Sequence, residues 1–152
     1  MPLTFYSAFF TAAPGGFDAA IAMKGKSGVV AEMKRIQDPN YEASQKELSS
    51  LSTLNLINEC YARGIRFLPV NYFKSEAFAY VPEDGKIRLP FNSLGGLGEN
   101  AAKAIAEARD SGEIFSVEEL RVKAKLTKSV IEVLRENGAL EGLSETNQIT
   151  FF

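Results

Sequence analysis

Apolar residues along the chain change their period twice. PLTFYSAFFTAAP, at residues 2–14, is apolar almost throughout and predicts a helix that stops before Pro14 and the Gly15-Gly16 pair. A short helix follows from about Asp18 to Lys24 with Asp18 as N-cap. Ser27 is placed to cap a third through Gln37, whose Val29, Val30, Met33 and Ile36 recur at helical spacing. Asp38 to Tyr41 is a turn. Ser44 and Glu47 then form a capping box for a long helix to Arg63, with Leu48, Leu51, Leu54, Ile57 and Cys60 or Tyr61 on one face and Gly64 as its stop. At Ile65 the period falls to two. IRFLPV, AFAYV and KIRL alternate about a tight turn at Pro82–Gly85, a short β-ribbon with its hairpin between about Ala77 and Leu89. From Pro90 onward the pattern is helical again, in short pieces. The predicted fold is mainly α with a small β-ribbon.

Composition narrows the chemistry. The 152 residues contain no histidine and one cysteine, which removes zinc sites, Ser-His triads, Cys-His pairs and internal disulfides. No Asp-x-Asp pair stands out, so no catalytic residue, metal ligand or cofactor is expected within this segment. Cys60 falls on a helical apolar pattern as a small core residue, and a lone thiol suits a reducing cytoplasm. No apolar run approaches the roughly 18 residues of a membrane span, and the first positive charge, Lys24, comes too late for a secretory signal. The abrupt hydrophobic opening suggests that Met1 is either an artificial start or a cut inside a longer chain.

Charge is nearly balanced, at −2 overall. The one acid-free basic run is Arg121, Lys123, Lys125 and Lys128, either a solvated face or a local strip for phosphate.

Leu94-Gly95-Gly96-Leu97-Gly98 precedes the helical run from Glu99 to Arg109. This resembles the turn of a helix-hairpin-helix module, in which apolar-Gly-apolar-Gly opens the second helix. Glycine at 96 and 98 is expected to permit positive φ and to leave no Cβ between backbone and ligand. Unpaired N–H groups then face outward at the positive helix end, where a DNA phosphate fits with no base being read. Gly96, Leu97, Gly98, Asn100, Ala101 and Lys103 are the candidate contacts. The plainer alternative is a glycine-rich turn that only starts a helix; the apolar flanks Leu89, Phe91 and Leu94, with Ala102, Ile105 and Ala106 beyond, favour the module.

A second, degenerate copy follows. Ser116 and Glu119 cap a helix through about Lys123, and Ala124 to Thr127 is a turn. Thr127 or Ser129 caps a helix carrying Val130, Ile131, Val133 and Leu134 to Gly138. Lys125, Thr127, Lys128 and Ser129 gather at its start as further phosphate contacts, unless this unit only buttresses the first.

Across the whole chain, from PLTFYSAFFT and KGKSGVVAEMKRIQ through LSTLNLINECYARGIRF, VNYFKSEAFAY, IRLPFNSLGGLGENAAKAIAEAR and KLTKSVIEVLRENGALEGL to SETNQITFF, the sequence resembles the C-terminal end of the alpha subunit of bacterial DNA polymerase III, of the PolC type. The resemblance implies that residues 1–40 end the polymerase fingers. Residues 41–140 would hold the connecting helix, β-hairpin and tandem helix-hairpin-helix domain that binds primer-template duplex, and 141–152 a flexible tail. The catalytic aspartates and the magnesium that the parent polymerase uses would lie outside the segment. Lys24, Lys26, Lys34 and Arg35 become candidate contacts to nucleotide or template. The ending Gln148-Ile149-Thr150-Phe151-Phe152 resembles the pentapeptide that docks on the ring-shaped sliding clamp, with Gln148, Ile149, Phe151 and Phe152 as anchors. The implied partners are duplex DNA, the clamp and the rest of the polymerase, without membrane. The rival reading is a free-standing small DNA-binding protein with the same hairpins.

Overall fold

The computed structural model describes residues 2–13 and 15–146. Four helices open the chain: α1 (Pro2–Ala12), α2 (Ala19–Ala22), α3 (Gly25–Gln37) and α4 (Gln45–Ala62). Strands β1 (Phe67–Leu68), β2 (Val81–Glu83) and β3 (Lys86–Arg88) follow, then a 3-10 turn at Phe91–Ser93, and helices α5 (Glu99–Ser111), α6 (Val117–Lys123) and α7 (Lys128–Glu136). The architecture is mainly helical with one small sheet, as the pattern predicts.

The local reasons are largely those legible in the sequence. Asp18 caps α2 through the N–H of Ala20, and at α4 both bonds of the Ser44–Glu47 capping box form. The third helix departs from expectation. It begins at Gly25, ahead of Ser27, because the Met23–Lys24 turn leads straight into it and leaves no extended residue at 27 to act as a cap. In the sheet, β2 and β3 pair antiparallel across Asp84-Gly85, both at positive φ (52° and 78°), as a two-residue hairpin turn demands. Strand β1, expected only as part of a ribbon, pairs parallel to β3 on its other edge.

An aromatic cluster binds the helical half to the sheet. The Phe17 ring lies 5.0 Å from Phe10, 5.8 Å from Phe67 and 4.9 Å from Tyr80, in mostly edge-to-face contacts. Cys60 is fully buried and its thiol is pushed up to about 12, chiefly by burial, so it is a core residue without nucleophilic character. On the surface, Arg35 bridges Glu32 and Glu47 while its guanidinium lies 4.8 Å over the Tyr41 ring. The Ser44 N–H, the Tyr41 hydroxyl and Arg35 together draw the Glu47 carboxyl down to about 2.

The loop at 71–76 carries the C-terminal helices. Arg109 of α5 donates to the carbonyls of Tyr72 and Ser75, and the Tyr72 N–H donates to Ala139 just beyond α7, at 2.8 Å. Ser75 is buried and donates to the Leu89 carbonyl at 2.7 Å, tying the same loop to the sheet.

Candidate nucleic-acid interface

The first turn is built on two buried leucines. Leu94 and Leu97, 3% and 5% exposed, sink into the core and push Gly95, Gly96 and Gly98 outward. The Leu97 N–H closes the turn on the Leu94 carbonyl at 3.2 Å, and Gly96 sits at φ +87°, the left-handed conformation that such a turn needs at its third residue. A Cβ at Gly96 would meet Val133 of α7 at 3.4 Å. Gly98 is different: it is the extended N-cap of α5 (φ −74°, ψ 171°), so the expected positive φ is absent, and a Cβ there would point into open space. Neither backbone nor packing calls for glycine at 98.

The first intrahelical bond runs from Ala102 N–H to the Gly98 carbonyl at 3.0 Å. The N–H groups of Gly98, Glu99, Asn100 and Ala101 have no acceptor among the described residues and stand at the positive end of α5. Leu97, expected as a contact, is an anchor instead, its amide committed to the turn and its side chain buried. Asn100 and Lys103 are exposed, Ala101 is half-buried, and Lys103 makes no ion pair among the described residues.

The second turn repeats this geometry at a fixed offset of 29 residues (96 to 125, 97 to 126, 98 to 127) with different residues. Lys125 takes the left-handed position at φ +55°, Leu126 is the buried anchor at 6% exposure, and Thr127 is the extended N-cap (φ −78°, ψ 163°). Ile131 N–H bonds the Thr127 carbonyl at 3.2 Å, as Ala102 bonds Gly98. Helix α6 ends in a Schellman motif: Lys125 N–H reaches the Val122 carbonyl and Leu126 N–H the Arg121 carbonyl, at 3.3 and 2.9 Å. One difference is chemical. The Thr127 hydroxyl accepts the Val130 N–H at 3.2 Å, which leaves the amides of Lys128 and Ser129 without acceptors among the described residues. Lys125, Thr127, Lys128 and Ser129 are all exposed, and neither lysine forms an ion pair among the described residues.

Other candidates fare differently. Arg35 is engaged by two carboxylates, while Lys24, Lys26 and Lys34 are exposed far along the chain from both turns. Gln148, Ile149, Phe151 and Phe152 lie outside the described residues. Residues 141–146, expected within the tail, are held in place: Ser144 pairs with Ser116, and Glu145 binds Arg135 of α7. Among the described residues there is no cluster of three metal-capable side chains, and no helix is long and apolar enough to cross a membrane. Two features escaped sequence reasoning. A lysine at positive φ has no local signal beyond its register with Gly96, and the Ser144 pairing joins residues 28 apart (116 to 144).

Comparison with known proteins agrees with this geometry. The helix-hairpin-helix motif family matches residues 64–149. The chain is 41% identical over 151 residues to a DNA polymerase III PolC-type of Clostridium perfringens, covering 99% of this chain and 10% of that protein. Similar proteins of the same description from Listeria monocytogenes and Caldanaerobacter subterraneus are 39% and 36% identical over 99% of this chain. The chain spans about a tenth of the length of the curated relatives it matches.

Proposed function

The chain belongs to the helix-hairpin-helix motif family, and from that premise we propose that it grips the phosphates of double-stranded DNA, whatever the base order, as the C-terminal part of a replicative polymerase of the PolC type. The observation that carries this reading is the row of outward amides from Gly98 to Ala101, beside a glycine that nothing within the chain requires. A phosphate oxygen approaching along the α5 axis meets several N–H donors with no Cβ at Gly98 in the way, and Lys103 one turn on adds a charge. The second hairpin grips through Lys125, Lys128, the Ser129 hydroxyl and two amides. Two such units in one fold suit the two strands of a primer-template duplex, with phosphates rather than base edges as the partners of their amides.

Nucleotide transfer and its magnesium are assigned to parts of the longer polymerase beyond this chain. The role here is to hold the duplex product, in the cytoplasm, where a free Cys60 persists. The C-terminal Gln148 to Phe152 docks on a sliding clamp, a reading supported by its polar first anchor, aliphatic second position and two terminal rings.

A titration of the chain with duplexes of unrelated sequence, followed residue by residue by NMR, tests the grip. Shifts should concentrate at 96–103 and 125–130, with equal affinities for all duplexes. A response spread over the surface, or a clear preference among sequences, would count against it.

A further inference from the structure

Beyond α7 the chain turns back. Leu143 N–H bonds the Leu140 carbonyl at 3.0 Å, and Ser144 then lies parallel to Ser116, ahead of α6. The first two amides of α6, Val117 and Glu118, donate to the carbonyls of Ser144 and Glu145 at 2.8 and 3.1 Å. The Glu145 carboxylate accepts two bonds from Arg135 of α7, at 3.3 and 2.9 Å, and this guanidinium holds it below the usual carboxylate range. The chain is therefore fastened to both helices of the second hairpin as far as Glu145.

Gln148 follows only three residues later. At about 3.5 Å per extended residue it stays within roughly 10 Å of Glu145, and Phe152 within roughly 25 Å. A protein that takes this peptide is held close to the second hairpin. At the two ends of α6 stand Phe115 and Val122, the most exposed large apolar residues of those described, at 62% and 65%. Phe115 directly precedes Ser116, the extended N-cap beside which the returning chain lies, and Val122 stands in the last turn of α6. Exposed Glu118 lies between them.

We propose that Phe115 and Val122 form a second contact for the protein that takes the C-terminal peptide, a ring-shaped sliding clamp, so that tail and domain face bind one partner together. The inference rests on the clamp reading of Gln148–Phe152 given above. The short tether is what selects this occupant, since it keeps the clamp surface close to α6 whenever the peptide is held. Two modest contacts joined by so short a link reinforce each other through a high effective concentration.

The test compares the affinity of the whole chain and of a synthetic peptide of residues 143–152 for a purified bacterial sliding clamp. The F115S/V122S double variant and a chain with ten Gly-Ser residues inserted after Thr146 complete the set, with circular dichroism checking that each is folded. The whole chain should bind at least ten-fold more tightly than the peptide. The double substitution should remove that advantage, and the insertion should reduce it. Equal affinities for chain, peptide and double variant would overturn the second contact while leaving tail docking intact. Binding by neither chain nor peptide would remove the clamp reading itself and this inference with it. A dimer of the chain alone, seen by sedimentation and dispersed by F115S/V122S, would assign the face to a second copy and equally overturn the proposal.

Discussion

Before α5 the turn is made from glycines, and before α7 from a lysine and a threonine, yet the two N-caps share nearly the same dihedrals and the same leucine anchor. The first hairpin thus offers chiefly backbone, with up to four free amides, no cap side chain, an acidic Glu99 beside them and a single lysine, Lys103, one turn on. The second offers fewer amides and more charge, with Lys125 and Lys128 flanking the helix start. One geometry serves two kinds of grip. The first depends on close approach and the second on Coulomb attraction, which salt screens. Lys125 makes the contrast sharper, because a residue with a Cβ at φ +55° costs about 1 kcal/mol relative to glycine.

The largest effect is expected at Gly98. Valine there fits the extended cap and the open space, so the chain should stay folded, but the branched side chain covers the amides and should lower duplex affinity ten-fold or more. Normal binding by folded Gly98→Val, measured by fluorescence anisotropy, would end the first half of the comparison. Next come Lys125→Ala and Lys128→Ala, each expected to weaken binding several-fold and to reduce the log–log salt slope by about one. Gly98→Val should change that slope little; equal slope changes for both classes would erase the distinction.

Smaller effects concern stability. Lys125→Gly should raise the unfolding free energy by about 0.5–1 kcal/mol in urea titrations while weakening DNA binding, an opposition that no purely structural role for Lys125 produces. Thr127→Ala should cost about 1 kcal/mol through loss of the cap, whereas Thr127→Gly, which copies the first hairpin, should cost only a few tenths. The smallest effect is with pH. The Glu145 carboxyl is depressed by Arg135, so its contribution is present above the ordinary carboxylate pKa and fades as pH falls through the folded value. Amide protection factors should therefore fall in acid at α6 before α5, and Glu145→Gln should remove that difference.

Much of this was readable in the sequence, for physical reasons that differ by region. Ser44 with Glu47, and Asp18, announce their helices because caps are satisfied within a few residues. Leu94 to Gly98 announces the first turn because only glycine is comfortable at Gly96. Of the two reasons that single out Gly98, positive φ is absent, and its missing Cβ matters only to what approaches from outside. The parallel placement of β1 was hidden because two residues carry no periodicity, and its partner lies 20 residues on (67 to 87). The seat of Ser144 and Glu145 on α6 was hidden likewise, since the bonds are between main chains and leave no mark on residue type.

Burial of Cys60 has a practical use. With the chain's single thiol silent, a cysteine introduced at Lys103 or Ser129 becomes the sole reactive handle for a spin label or fluorophore. The span between each hairpin and a labelled oligonucleotide can then be read directly, on a chain that needs no prior removal of native sulfur.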